Sequence, residues 1–318
     1  MRSRILIVTS VIAFAMMLVQ CSSKVDETID GKGQILVKMT DAPSDDANIE
    51  GTFITIADVK IDGKPVEGFA KQTIEISAYQ NGETKLILNE EVSAKSYSAI
   101  SLVLDYESDA SGVSPGCYIL TSDTEKHDLS VSGEIQTEIT VSKPFQVEAN
   151  SETSLVVDFD IRKAVVREND TSTGSEYRFV TPTEMESTVR VVSEENSGKI
   201  SGSVNMLFTT ENDSYVFIYQ KGEFNVLSEG QGQGASNILF AKAVTSAKVN
   251  ADGTYNLSFL EAGDYDIHVA SFAKTLGDST TFTGMFNATS TTPGLLLNSI
   301  SVSANAQIEL DIDISGLL

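Results

Sequence analysis

Tryptophan is absent, and histidine and cysteine occur only twice each in 318 residues. The chain therefore offers few thiol nucleophiles, imidazole bases or soft-metal ligands. His127 and His268 have no cysteine or second histidine at metal-ligand spacing, which gives zinc no support. Positive charge is also scarce. Against 45 Asp+Glu stand 22 Lys+Arg, a net charge of −23. Such a surface repels nucleic acid and anionic lipid heads, so a nucleic-acid partner is excluded. Helical periodicity is missing too: no stretch of three turns carries apolar residues at i, i+3, i+4 and i+7 between caps. Without tryptophan, a carbohydrate site built on ring stacking would have to use Tyr79, Tyr118, Tyr177 or Tyr219.

Long apolar runs are confined to the beginning. Arg2 and Arg4 precede the apolar segment Ile5–Val19, which is shorter than the roughly 20 residues of a membrane span. It reads as a signal peptide over residues 1–20. The ending Leu18-Val19-Gln20-Cys21 resembles a bacterial lipobox, with Gln20 replacing the usual small residue. The resemblance implies that Cys21 is lipidated and becomes the mature N-terminus. Cleavage there removes two arginines and no acid, leaving 20 basic against 45 acidic residues and a net charge of −25. The lipid then holds the membrane without a basic patch, which takes more than one acyl chain. The polar stretch to residue 32 reads as a tether. Its Lys24-Val25-Asp26-Glu27 resembles the acidic surface-export signals of Bacteroidetes-type lipoproteins. With Cys21 lipidated, Cys117 has no disulfide partner and reads as a half-buried strand residue.

From Gly33 onward the dominant period is two. Ile35, Val37 and Met39 alternate with polar residues, as do Ile100, Leu102 and Leu104, and Leu155, Val157 and Phe159. Ile54 and Ile56 give way to Val59 and Ile61 after a one-residue shift, which predicts a bulge. Asp62-Gly63, Asn81-Gly82 and Ser132-Gly133 mark turns. In the last strand Ile308, Leu310, Ile312 and Ile314 alternate with Glu309, Asp311 and Asp313, so one face is apolar and the other acidic. The expected fold is all-β: two β-sandwich domains, immunoglobulin-like or transthyretin-like, over residues 33–192 and 199–318, with a polar linker at 193–198.

Three stretches carry a family resemblance: Gly33-Gln34-Ile35-Leu36-Val37-Lys38-Met39-Thr40-Asp41-Ala42-Pro43, Tyr97–Leu104, and Leu155–Val166 with its Asp158-Phe159-Asp160-Ile161-Arg162-Lys163 core, with Pro182 beyond. In these the first domain resembles a family of bacterial lipoproteins catalogued as a domain of unknown function. That implies a secreted β domain with no assigned activity. The second domain is similar to transthyretin-like or carboxypeptidase-regulatory-like sandwiches in Gly198–Val204, Asp252–Leu257 and Leu260–Ile267. Such modules serve as spacers or binding domains.

Candidate chemistry centres on acids. Asp158 and Asp160 lie two apart on a strand, on one face and roughly 6.6–7 Å apart at Cα. That pair could bind calcium or act as acid and nucleophile on a glycoside. The plainer reading has both pointing to water, with Arg162 pairing Asp160. Asp41, Asp45 and Asp46 gather in one loop, yet no Asp-x-Asp-x-Asp-Gly string is present, and Asp41 before Ala42-Pro43 suits a turn. Gly230-Gln231-Gly232-Gln233-Gly234 lacks the Lys-Ser/Thr of a phosphate-binding loop and reads as a flexible edge loop. The expectation is a non-enzymatic, cofactor-free outer-membrane lipoprotein of the cell envelope, held by its N-terminal lipid. It would bind an envelope protein or a glycan, with ligand residues unassigned. The alternatives are a calcium-dependent or tyrosine-based glycan binder, and a hydrolase using Asp158 and Asp160.

Overall fold

The computed structural model describes residues 31–168, 176–206, 212–274 and 280–318. The signal segment, Cys21 and most of the tether lie outside the described residues. Gly31–Leu318 forms one compact unit. Strands dominate, and the α-helices are single turns of four residues among the described residues, at Ile161–Ala164, Pro182–Met185 and Val226–Glu229. None of these is long and apolar enough to cross a membrane.

Residues up to 193 build two large facing sheets and two two-stranded ribbons, Lys95–Tyr97 with Phe145–Val147 and Val165–Arg167 with Tyr177–Phe179. One is four-stranded, in the order Val189–Ser193, Glu152–Phe159, Lys32–Thr40, Lys85–Ser93. The other is antiparallel around the long strand Ile49–Ile61, which pairs Ile100–Asp105 on one side and Tyr118–Thr121 on the other. Alternating residues of both sheets meet in one core: Ile35, Val37, Met39, Ile54, Ile56, Leu104 and Phe159 are fully buried. The expected bulge is present, as the register of Ile49–Ile61 against Ile100–Asp105 shifts between Ile56 and Asp58. That extra residue keeps Ile54 and Ile56 on the same side as Val59 and Ile61. Asp62-Gly63 turns the chain with both residues at positive φ, 49° and 72°.

Residues after 197 form a nine-stranded arrangement whose main path runs Thr245–Lys248, Asp213–Gln220, Gly263–Lys274, Thr280–Ser290, Ile312–Leu317, Gly198–Met206, Thr254–Leu260. The strand expected at 308–314 is instead two, Gln307–Glu309 and Ile312–Leu317, both parallel to Gly198–Met206. The break has a cause. Leu310 turns its carbonyl to Tyr255 Oη at 2.7 Å, and Asp311 Oδ1 takes hydrogen bonds from the Ser203 N–H and hydroxyl. Gly202 permits the approach, since a Cβ there would lie 2.1 Å from the Leu310 carbonyl oxygen. The apolar and acidic faces fall as expected, with Leu310, Ile312 and Ile314 buried.

Between the halves, residues 194–196 form a 3-10 turn whose Glu194 carboxylate takes hydrogen bonds from Lys38 Nζ and Ser154 Oγ. Every described strand pair lies wholly before or wholly after this turn. The halves nonetheless touch closely, and Ile238 from the second contributes to the first core.

Candidate functional site

The two motif stretches of the first half converge because their strands are parallel. Lys32–Thr40 and Glu152–Phe159 pair with Thr40 opposite Asp158, so both chains leave the sheet at one edge. Asp41 follows the first strand and Asp160 the second. Asp41 Oδ1 accepts from the Ile161 N–H at 3.0 Å and Oδ2 from Gln80 Nε2 at 3.1 Å. The turn role expected for Asp41 is thus a bond to backbone across 120 residues rather than within its own loop. Asp160 caps the short helix, accepting from the Lys163 N–H.

Asp158 and Asp160 do not point to water. Both are buried, and their partners are cations. Asp158 pairs with Arg190, directly opposite on the neighbouring strand, at 2.7 Å. Asp160 pairs with Arg162 at 3.3 Å, the partner anticipated from sequence, and with Lys163 at 3.1 Å. The outward reading fails because the second half covers that face of the sheet. Arg190 donates to the carbonyls of Ser258 and Phe259. Arg162 donates to those of Leu239 and Phe240, and Lys163 Nζ to that of Ala243. Arg162 also lies over the Phe217 ring at 5.1 Å. Each arginine is held by its own aspartate and grips two consecutive carbonyls of the second half. Phe240 and Phe259, which offer one carbonyl to each grip, adopt positive φ of 51° and 55°. A bulky residue there is strained, and the grip compensates for it. These groups form a charged clasp between the halves.

Burial and charge set the titration of this cluster. Burial holds Asp41 well above the usual carboxylate range, with the neighbouring Asp160 and Asp158 charges adding to it. Burial also raises Asp158, although Arg190 opposes it. Asp160 is equally buried, yet Arg162 and Lys163 outweigh the desolvation and bring it below the usual value.

Beside the clasp opens a cleft of about 340 Å³, walled by Asp45, Asp46, Arg162, Arg167, Tyr177 and Thr280. Asp46 is tied down by the Asn48 N–H at 3.0 Å and Tyr177 Oη at 3.3 Å. Asp45 is half-buried, and desolvation, opposed by Arg162 and reinforced by Asp46, pushes its carboxyl up to about 6.

The remaining sequence candidates are structural. Cys117 is fully buried, not half-buried; its thiol donates to the Asp105 carbonyl, and burial pushes it up to about 12. Tyr177 and Tyr219 are buried, and Tyr118 lies between the Phe53 ring and Lys126. These three have no free face for a sugar. Tyr79 is half-buried, and its carbonyl accepts from the Asp41 N–H and Thr40 hydroxyl. His268 stacks on Phe224 at 3.6 Å, and burial lowers it to about 4. The glycine-rich run lies in a segment packed on the first half. Ser236 donates N–H and hydroxyl to Glu184, whose carboxyl, against the pull of burial, these bonds and those from Thr181 hold at about 2. Gly234, at φ +71°, is needed there, since a Cβ would meet Glu184 Oε1 at 2.3 Å.

One grouping escaped the sequence reading. Asp123, Glu125 and His127 bring ligand atoms within 4.8 Å of one another at a hairpin. The alternate spacing Asp123-x-Glu125-x-His127 was its signal. Asp123 Oδ1 there serves the turn, accepting from the Thr121 hydroxyl and the Glu125 N–H.

An all-β, multi-sheet protein carrying a charge clasp between the residues before and after the 194–196 turn is the class that these observations define. A family model described as "Domain of unknown function (DUF4382)" matches residues 32–180, the region that holds Asp41, Asp158, Asp160 and Arg162. No curated protein matches the chain. Among solved structures, the chain is similar to a leucine-rich repeat protein from Bacteroides thetaiotaomicron, with 11% identity over 91% of this chain and TM-score 0.23. This chain spans only 27% of that protein. It is similar to BcpA, the major pilin subunit of Bacillus cereus, with 11% identity, coverage of 90% and 70%, and TM-score 0.22. It is also similar to GBS52, the minor pilin of Streptococcus agalactiae, with 9% identity, coverage of 90% and 97%, and TM-score 0.21.

Proposed function

We propose that this protein is a lipid-anchored cell-envelope protein at the outer membrane, acting as a non-catalytic binding or structural module of two β domains that meet at residues 193–198. One observation carries the non-catalytic reading. The carboxylates best spaced for hydrolysis, Asp158 and Asp160, are buried and committed to Arg190, Arg162 and Lys163. A general acid or nucleophile must reach substrate and change its proton or bond during the reaction. Carboxylates locked beneath a second domain do neither. Anchoring rests on Cys21 and the apolar run before it.

Two measurements test the reading. Cys21→Ala is expected to abolish lipid labelling and release the protein from the membrane fraction. An uncleaved Cys21→Ala chain that stays with the membrane would show Ile5–Val19 to be an anchor instead. On chromogenic glycosides, esters and peptides the wild type is expected to give background rates, and sustained turnover would refute the non-catalytic assignment.

A further inference from the structure

The hairpin of Tyr118–Thr121 and Lys126–Asp128 gathers donor groups from both strands and from its tip. Ile119 lies opposite His127, and the Thr121 N–H donates to the Glu125 carbonyl. Glu125 and His127, two apart, therefore share the face on which Thr121 stands. Asp123 joins them from the tip, where Thr124 takes a positive φ of 68°. Lys126 has the opposite parity. It turns to the other face and lies over the Tyr118 ring at 4.1 Å.

The imidazole is already aimed. The His127 side chain is 17% exposed, and Tyr177 meets its ring edge-on at 5.4 Å between centroids. Nδ1 faces Glu176 Oε2 at 3.9 Å, and Glu176 is itself held by Arg167. Nε2 lies 3.2 Å from the Thr121 hydroxyl, which donates to Asp123 Oδ1 at 2.6 Å. Nε2 is thus the nitrogen on the side of Asp123. A histidine steadied by a carboxylate at one nitrogen, with the other turned to further donors, is built like a metal ligand.

The acids beside it have capacity left. Among the described residues, nothing donates to Asp123 Oδ2 or to the Glu125 carboxylate, and no lysine or arginine pairs with either acid. Two carboxylates against one imidazole leave a local negative charge that a divalent cation would offset. Calcium wants six to eight oxygens, which this trio does not supply. One nitrogen with two carboxylates suits a borderline first-row transition metal such as zinc. The three ligand atoms lie within 4.8 Å of one another. Small rotations of the exposed Asp123 and Glu125 side chains would bring them to the ~3.4 Å spacing of a tetrahedral zinc site.

We propose that Asp123, Glu125 and His127 form a site for a divalent transition-metal ion of the zinc type, with Glu176 orienting His127 from behind. Histidine and cysteine spacing gives no hint of it, because two of the three ligands are carboxylates.

The full-length protein in detergent, stripped with a chelator and dialysed, is titrated calorimetrically with zinc chloride and with calcium chloride. High salt screens the diffuse attraction of cations to an acidic surface. One saturable zinc ion per chain is expected, bound more tightly than calcium. His127→Ala and Glu125→Gln should each weaken zinc by about tenfold or more. Glu125 is exposed and its carboxylate holds no structural bond, so Glu125→Gln should keep the fold, with circular dichroism as the check. Glu309→Gln, at an exposed acid of the second half, should leave zinc affinity unchanged. An absence of saturable zinc binding, unchanged affinity in Glu125→Gln, an equal loss in Glu309→Gln, or calcium binding of matching strength overturns the proposal.

Discussion

Two stretches of this molecule carry the same alternating pattern and meet opposite fates. Leu155, Val157 and Phe159 alternate with Val156 and Asp158 and run on to Asp160. Leu310, Ile312 and Ile314 alternate with Asp311 and Asp313. In the second case the acids stay at the surface, where Asp311 is held below the usual range by hydrogen bonds from Ser203. In the first case the acids are buried beneath the second half of the chain and bound by Arg190, Arg162 and Lys163. Period two tells which residues share a face. It does not tell whether that face meets water, because this depends on a partner surface far away in sequence.

The strongest way to break the comparison is Asp160→Ala. It leaves Arg162 and Lys163 buried without their carboxylate, so the loss should be about 3–5 kcal/mol. The melting temperature should fall by on the order of 10 °C in calorimetry. A change no larger than that of a surface acid would mean that the clasp contributes nothing to stability.

Asp45→Asn should act in the opposite direction. Asp45 is raised in the folded protein, so folding favours its protonated form. Its contribution to stability therefore declines as pH rises from about 4 towards about 6 and stays unfavourable above. Removing the charge should stabilise the protein at pH 7 by ~1–3 kcal/mol and leave it unchanged near pH 4. Chemical denaturation at the two pH values checks this, and destabilisation at pH 7 would contradict it.

Asp313→Asn sharpens the contrast at its small end. Asp313 accepts a hydrogen bond from Asn205 at an exposed edge, and the change should stay within about 0.5 kcal/mol by urea titration. A loss approaching that of Asp160→Ala would erase the distinction between the two stretches.

Much of the fold was legible for physical reasons that act locally. Alternation placed Ile35, Val37 and Met39 inside, the phase shift after Ile56 gave the bulge, and Asp62-Gly63 gave the turn. The pairing of Arg162 with Asp160 was also within reach of sequence, being two residues away. What stayed hidden was non-local. Nothing in Thr40-Asp41 or Phe159-Asp160 says that their strands run parallel and end together. Nor does the glycine-rich run at 230–234 announce a segment packed on the first half, since the signal lies in Glu184 and Ser236, 52 positions apart. Residues 308–314 read as one strand because the bend at Leu310 depends on Tyr255 and Ser203.

The clasp also bears on the order in which the protein comes into being. A chain made from its N-terminus presents residues 32–192 before the second half exists. Were the docking face of that first half greasy, it would be sticky during the wait. Instead the face ends in Arg162, Lys163 and Arg190, each beside its own aspartate. Water hydrates such ion pairs more readily than an apolar surface, although the place filled by Ile238 stays apolar until the second half is made. The carbonyls of Leu239, Phe240, Ser258 and Phe259 are the acceptors that these arginines meet once the second half is in place.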